Sequence, residues 1–108
     1  MELRPGTIVW ATVADPDGRN PKSRPLVVVS PLDENGAHEA VAVTSRVDLF
    51  QDDCCVRLPW AHGGHPHTKL TKECLARCDW VIYLKPSDVT RLGGVIPQRA
   101  LRDILARI

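Results

Sequence analysis

The chain has 108 residues, of which 44% are hydrophobic and 25% charged, enough for one modest core and a single domain over 1–108. No apolar run approaches bilayer-spanning length, and the N-terminal Met1-Glu2-Leu3-Arg4-Pro5-Gly6 has no signal core, so a cytoplasmic protein with no membrane partner is expected. A formal net charge of +1 argues against coating nucleic acid by bulk electrostatics, while leaving room for local basic patches such as Arg19, Lys22 and Arg24.

Thr7 to Val13 is rich in β-branched residues and stops at Asp15-Pro16-Asp17-Gly18, which predicts a strand and a polar turn. Arg24-Pro25 then opens Leu26-Val27-Val28-Val29, whose continuous apolar character predicts a central strand buried on both faces. Asp33-Glu34-Asn35-Gly36 is hairpin-type turn chemistry, and Ala40 to Ser45 reads as the antiparallel return strand. Cys54 to Leu58 predicts a fourth strand. It leads into 59–67, whose two glycines and two prolines predict a mobile loop.

Cys74 to Leu84, around Trp80, supplies further strand, and Leu92 to Ile96 a last short one. From Pro97 the period changes: Leu101, Ile104, Leu105 and Ile108 follow helical spacing, with Pro97 suited to a first helical turn and Leu101, Ile104 and Leu105 expected to pack inward. Short strands with turn signals followed by one helix predict a mainly β protein, a curled antiparallel sheet or small barrel with a C-terminal helix. Of the four cysteines, the adjacent Cys54 and Cys55 point to opposite faces of any strand and do not easily bridge to each other.

The order of the pieces is more specific than any one of them. Gly6-Thr7-Ile8-Val9-Trp10, a polar loop, Arg24-Pro25-Leu26-Val27-Val28-Val29-Ser30, Val43-Thr44-Ser45, Thr68-Lys69-Leu70, Leu92-Gly93-Gly94-Val95-Ile96-Pro97 and an amphipathic helix follow one another. In this the chain resembles the PemK/MazF family of toxins from type II toxin-antitoxin systems, from near residue 4 to the C-terminus. The resemblance implies an SH3-like barrel with a C-terminal helix, a homodimer, cleavage of single-stranded RNA by the toxin, and a cognate antitoxin protein as partner.

Cleaving RNA without a metal makes the neighbouring 2′-hydroxyl attack phosphorus, and so calls for a proton acceptor, a proton donor and a cation. Arg24 stands at the matching family position before the buried strand, and its planar fork suits two phosphate oxygens. The resemblance places Thr44 or Ser45 against the scissile phosphate. The hairpin brings the strand ends at Arg24 and Thr44 together. In the segment after Thr68 family members carry a basic residue and an acid, here Lys72 and Glu73, with Cys74 where an acid can be aligned. Adjacent strand residues face opposite ways, so Lys72 and Glu73 enter one site only through a bulge. The first loop has no histidine, a departure from the family pattern.

Arg19 and Lys22 are candidates for RNA phosphates, and Trp60 for stacking on a base or burial against a dimer partner. Trp10 and Trp80 read as core. No cofactor is called for. A zinc-binding module is the rival from His62, His65, His67, Cys74 and Cys78, but Cys-x-x-x-Cys in a strand is poorly spaced for a closed tetrahedral site, and the histidines could instead supply the proton donor. A further rival is a non-catalytic barrel that grips a protein target such as DNA gyrase.

Overall fold

The computed structural model describes residues 3–49 and 54–108; Met1 and Glu2, which begin the N-terminal segment read above, lie outside the described residues. Six strands form one antiparallel sheet: β1 (Thr7–Val13), β2 (Lys22–Val28), β3 (His38–Thr44), β4 (Cys55–Arg57), β5 (Leu75–Leu84) and β6 (Val89–Val95), followed by the helix α1 (Gln98–Leu105). The lateral order is β4-β5-β3-β2-β1-β6. β2 begins four residues earlier than its apolar run suggests, β3 two and β6 three, because the backbone ladder extends past the buried side chains. β4 is shorter than expected.

β2 lies inside the sheet, between β3 and β1, and its alternate residues feed two separate cores. Val27 and Val29 join Val41, Val43, Ala76 and Ile104 on one face, while Leu26 and Val28 join Val9, Ala11, Ala40 and Leu84 on the other. Leu26, Val27 and Val28 are fully buried, each worth about 1.5–3 kcal/mol of apolar burial. This two-sided burial is why the run is unbroken by polar residues.

β5 changes faces along its length. One step along β3, from Ala42 to Val41, corresponds to four along β5, from Arg77 to Val81. The three additional residues, Cys78, Asp79 and Trp80, are an odd number, so the alternation inverts. Ala76 and Cys78 therefore pack in the first core, and Trp80, Ile82 and Leu84 in the second.

The sheet edges β4 and β6 are bridged by the intervening loop. Leu58 donates its amide to Cys74 O beside β4, and Val95 of β6 donates to His67 O at 2.8 Å. That contact requires Gly94, since a Cβ there would stand 1.9 Å from His67 O. The curled sheet is thereby closed into the small SH3-like barrel with a C-terminal helix. Segment 59–67, expected to be mobile, is instead anchored: Ala61 N and His65 N both donate to Leu70 O, and the Thr68 hydroxyl donates to Pro59 O at 2.8 Å.

Pro97 occupies the N-cap of α1 rather than its first turn. Ala100 and Ile104 are buried and Leu101 packs beside them. Leu105, expected inward, is 45% exposed, because one helical step beyond Ile104 swings it about 100° off the buried stripe.

Candidate functional site

A cleft of about 760 Å³ opens where the starts of β2 and the end of β3 meet β6 and the 68–74 segment. Six basic residues line it, Lys22, Arg24, Arg46, Lys69, Lys72 and Arg91, and among the described lining residues there is no Asp, Glu or His. The whole chain carries 14 Lys and Arg against 13 Asp and Glu, so the near-neutral total conceals one strongly cationic hollow. Such a hollow concentrates field lines toward a polyanion.

Arg24, Thr44, Ser45, Lys72 and Lys22 are brought together in this cleft. Pairing of Leu26 with Ala42 fixes the hairpin register, and two residues further along each strand stand Arg24 and Thr44. Arg91 comes from β6, opposite Trp10 of β1, with its guanidinium 4.5 Å from the centre of the Trp10 ring. Trp10 is half-buried and lines the cleft, a correction to its expected place in the core. Lys69 adopts a left-handed backbone, φ 65°, which turns the chain at the cleft wall. Its ammonium donates to Pro66 O.

The Arg24 guanidinium is not a loose surface charge. Nε donates to Val13 O at 3.1 Å, an NH2 group pairs with the Asp15 carboxylate, and the group lies 5.3 Å from the Trp80 ring centre. The Arg77 guanidinium lies at the same distance from that ring and is held by Asp79 through two bonds, Nε to Oδ1 at 3.2 Å and NH2 to Oδ2 at 2.7 Å. Trp80 packs against the second core as expected, and, half-buried, it also gathers both cations, each carrying its own carboxylate.

The Arg77 bonds hold the Asp79 carboxyl below its usual range, and the same bonds push the Arg77 guanidinium up. Asp79 is therefore ionised at neutral pH. Cys74, which lines the cleft at the position alignable with an acid, is the reverse: burial first, then the neighbouring Glu73 charge, pushes its thiol to about 11. It is protonated at neutral pH and is no proton acceptor.

Other residues singled out in the sequence stand elsewhere. Glu73 is not among the cleft residues and pairs with Arg57 at 3.2 Å; segment 71–74 is irregular rather than strand, and of the Lys72 and Glu73 pair only Lys72 lines the cleft. Arg19, its side chain 81% exposed, lies 3.9 Å from Asp17. Trp60 meets His62 edge to face at 5.1 Å and does not line the cleft. Nor do His62, His65 or His67. The His65 ring accepts from His67 N and Thr68 N, a loop-shaping role. Among the described residues no three His, Cys, Asp or Glu gather as a set able to hold a metal.

Arg46, Lys69, Arg91, Arg77 and Asp79 were missed by the sequence reading. Arg77 and Asp79 had a signal, opposite charges two apart in a strand, which share a face. Arg91 had none, since its partner Trp10 is remote in sequence.

No helix is long and apolar enough to cross a membrane among the described residues. No family model and no curated protein matches the sequence. Solved structures do. A crystal structure of MazE-MazF from Deinococcus radiodurans, Form-II, aligns at 24% identity and TM-score 0.68, over 97% of this chain and 90% of that one. Form-III of the same aligns at 25% identity and TM-score 0.68, over 97% and 91%. The chain has a MazF/PemK-like toxin fold.

Proposed function

Building on that fold, we propose that the protein is the toxin of a type II toxin-antitoxin system, a cytoplasmic endoribonuclease that cuts single-stranded RNA without a metal. The observation that carries this reading is the acid-free, six-cation cleft, whose Arg24 shares the Trp80 ring with Arg77. Phosphates on either side of the cut are held by Lys22, Arg46, Lys69 and Arg91, and each contact releases counterions. The scissile phosphate sits at the Arg24 and Thr44 end, with Ser45 beside them. Arg24 and Arg77 offset the charge that builds on phosphorus oxygens as the 2′-hydroxyl attacks.

Asp79, ionised and part-exposed, accepts the 2′-hydroxyl proton, a role that Glu73, outside the cleft, does not fill. The Lys72 ammonium supplies a proton to the departing 5′-oxygen. The products are a cyclic phosphate and a 5′-hydroxyl. The protein acts as a homodimer, for which the exposed Val81 and Tyr83 of β5 offer an apolar strip, and it is neutralised by a cognate antitoxin, as the MazE-MazF neighbours suggest.

The test is a long single-stranded RNA incubated with purified protein in EDTA, with cut positions and end chemistry mapped. Cuts bearing 5′-hydroxyl ends are expected. Uncut RNA would favour the non-catalytic barrel that grips a protein target, for which the lack of Asp, Glu or His in the cleft lining is the supporting observation.

A further inference from the structure

Cys54 and Cys55 do not point apart as two strand residues would. Cys54 precedes β4 in a turn, and the two sulphurs approach to 3.6 Å, each thiol half-buried. The pair abuts Arg77 and Asp79. Cys55 is the register partner of Arg77, Cys54 O accepts from Cys78 N at 2.8 Å, and the Cys54 thiol is among the groups hydrogen-bonded to the Asp79 carboxylate. Cys74 and Cys78 are buried, and burial pushes both thiols up, so they compete poorly as nucleophiles.

We propose that Cys54 and Cys55 form a reversible redox site, closed to a vicinal disulfide by a low-molecular-weight disulfide, which uncouples Asp79 from Arg77 and so switches off the site described above. One thiolate attacks the oxidant's S–S bond, giving a mixed disulfide and expelling one thiol. The second cysteine thiolate then attacks the protein sulphur of that mixed disulfide and expels the other thiol. Two cysteine thiols lose two electrons and two protons, and one oxidant disulfide becomes two thiols.

Coupling follows from chain geometry. Adjacent Cα atoms are about 3.8 Å apart, below the usual disulfide span of about 4.4–6.8 Å, so closure twists the 54–55 peptide. The twist moves Cys55 out of register with Arg77 and consumes the Cys54 thiol that reaches Asp79. A bridge strained in this way is readily reduced, the property of a regulatory rather than a structural disulfide.

The loss of activity rests on the proposed RNA cleavage; the bridge and its effect on Asp79 do not. The experiment treats the full chain with oxidised glutathione, maps disulfides by mass spectrometry, and titrates the Asp79 carboxyl by NMR. A 54–55 bridge reversed by thiol, with Asp79 titrating closer to the ordinary carboxylate range, is expected, together with at least a tenfold loss of cleavage that Cys55→Ser does not suffer. A glutathione adduct without a bridge, a bridge to Cys74 or Cys78, an unmoved Asp79 titration, or an oxidised enzyme of unchanged activity overturns the proposal. If the reduced protein cuts no RNA, the functional reading fails while the mapping and the titration still decide the redox site.

Discussion

Arg77 grips Asp79 with two nitrogens on two oxygens, 3.2 and 2.7 Å apart, across a stretch of β5 that carries three additional residues. The fork-to-fork pair orients both groups beside Trp80 and ties the local shape of β5 to a titration. Asp79 titrates lower in the folded protein than in the unfolded chain, so its contribution to stability is present above the ordinary carboxylate pKa and is lost as pH falls through the folded value. Urea unfolding should therefore show wild type losing more stability between neutral and acid pH than Asp79→Asn does. Equal losses would mean the pair contributes nothing to the acid response.

Arg24→Ala should cut RNA cleavage by roughly a hundredfold, the usual loss of one charge-assisted contact to a transition state. It should also cost on the order of 2 kcal/mol of stability, because the part-buried side chain bonds both Val13 O and the Asp15 carboxylate, and truncation removes both contacts. Arg24→Lys should recover part of the stability but little of the rate, lacking the planar fork. Single-turnover cleavage alongside thermal unfolding separates the two effects.

Substituting Lys72 or Arg91 with Ala should weaken RNA binding across sequences and lower the slope of log affinity against log salt by about 0.7 each, the single-strand value per phosphate. Glu73→Gln should leave that slope unchanged, since Glu73 faces Arg57 outside the cleft. Fluorescence titrations at several salt concentrations read this directly.

Gly94→Ala should destabilise by 2 kcal/mol or more, an order-of-magnitude figure for overpacking combined with a lost hydrogen bond. The added methyl falls on His67 O and Thr68, forcing apart the loop and β6 that close the barrel. A melting temperature within a degree of wild type would show that the closure is dispensable.

On α1, Ile104→Ala should cost about 3 kcal/mol through lost burial and the cavity left behind. Leu105→Ala should stay within about 0.5 kcal/mol, as surface changes do. Denaturant midpoints with a shared slope test the contrast, which depends only on which side of one helical step is buried.

What the sequence determined by itself was local or periodic. The uninterrupted Leu26-Val27-Val28-Val29 run announced a strand buried on both faces, the Asx-rich turns placed the hairpins, the change of period at Pro97 announced the helix, and the hairpin put Arg24 near Thr44. Tertiary structure alone decided the rest. The odd number of additional residues after Arg77 chose which core Trp80 enters, and Gly94 let a loop lie against β6 closely enough to close the barrel. The six cations come from β2, β6 and the segments after β3 and β4, far apart in sequence, and a summed net charge averages them away. Side-chain periodicity records which face a residue takes within one element; it carries no information about which distant elements the folded chain lays side by side, and the electrostatic character of this cleft is a property of that arrangement.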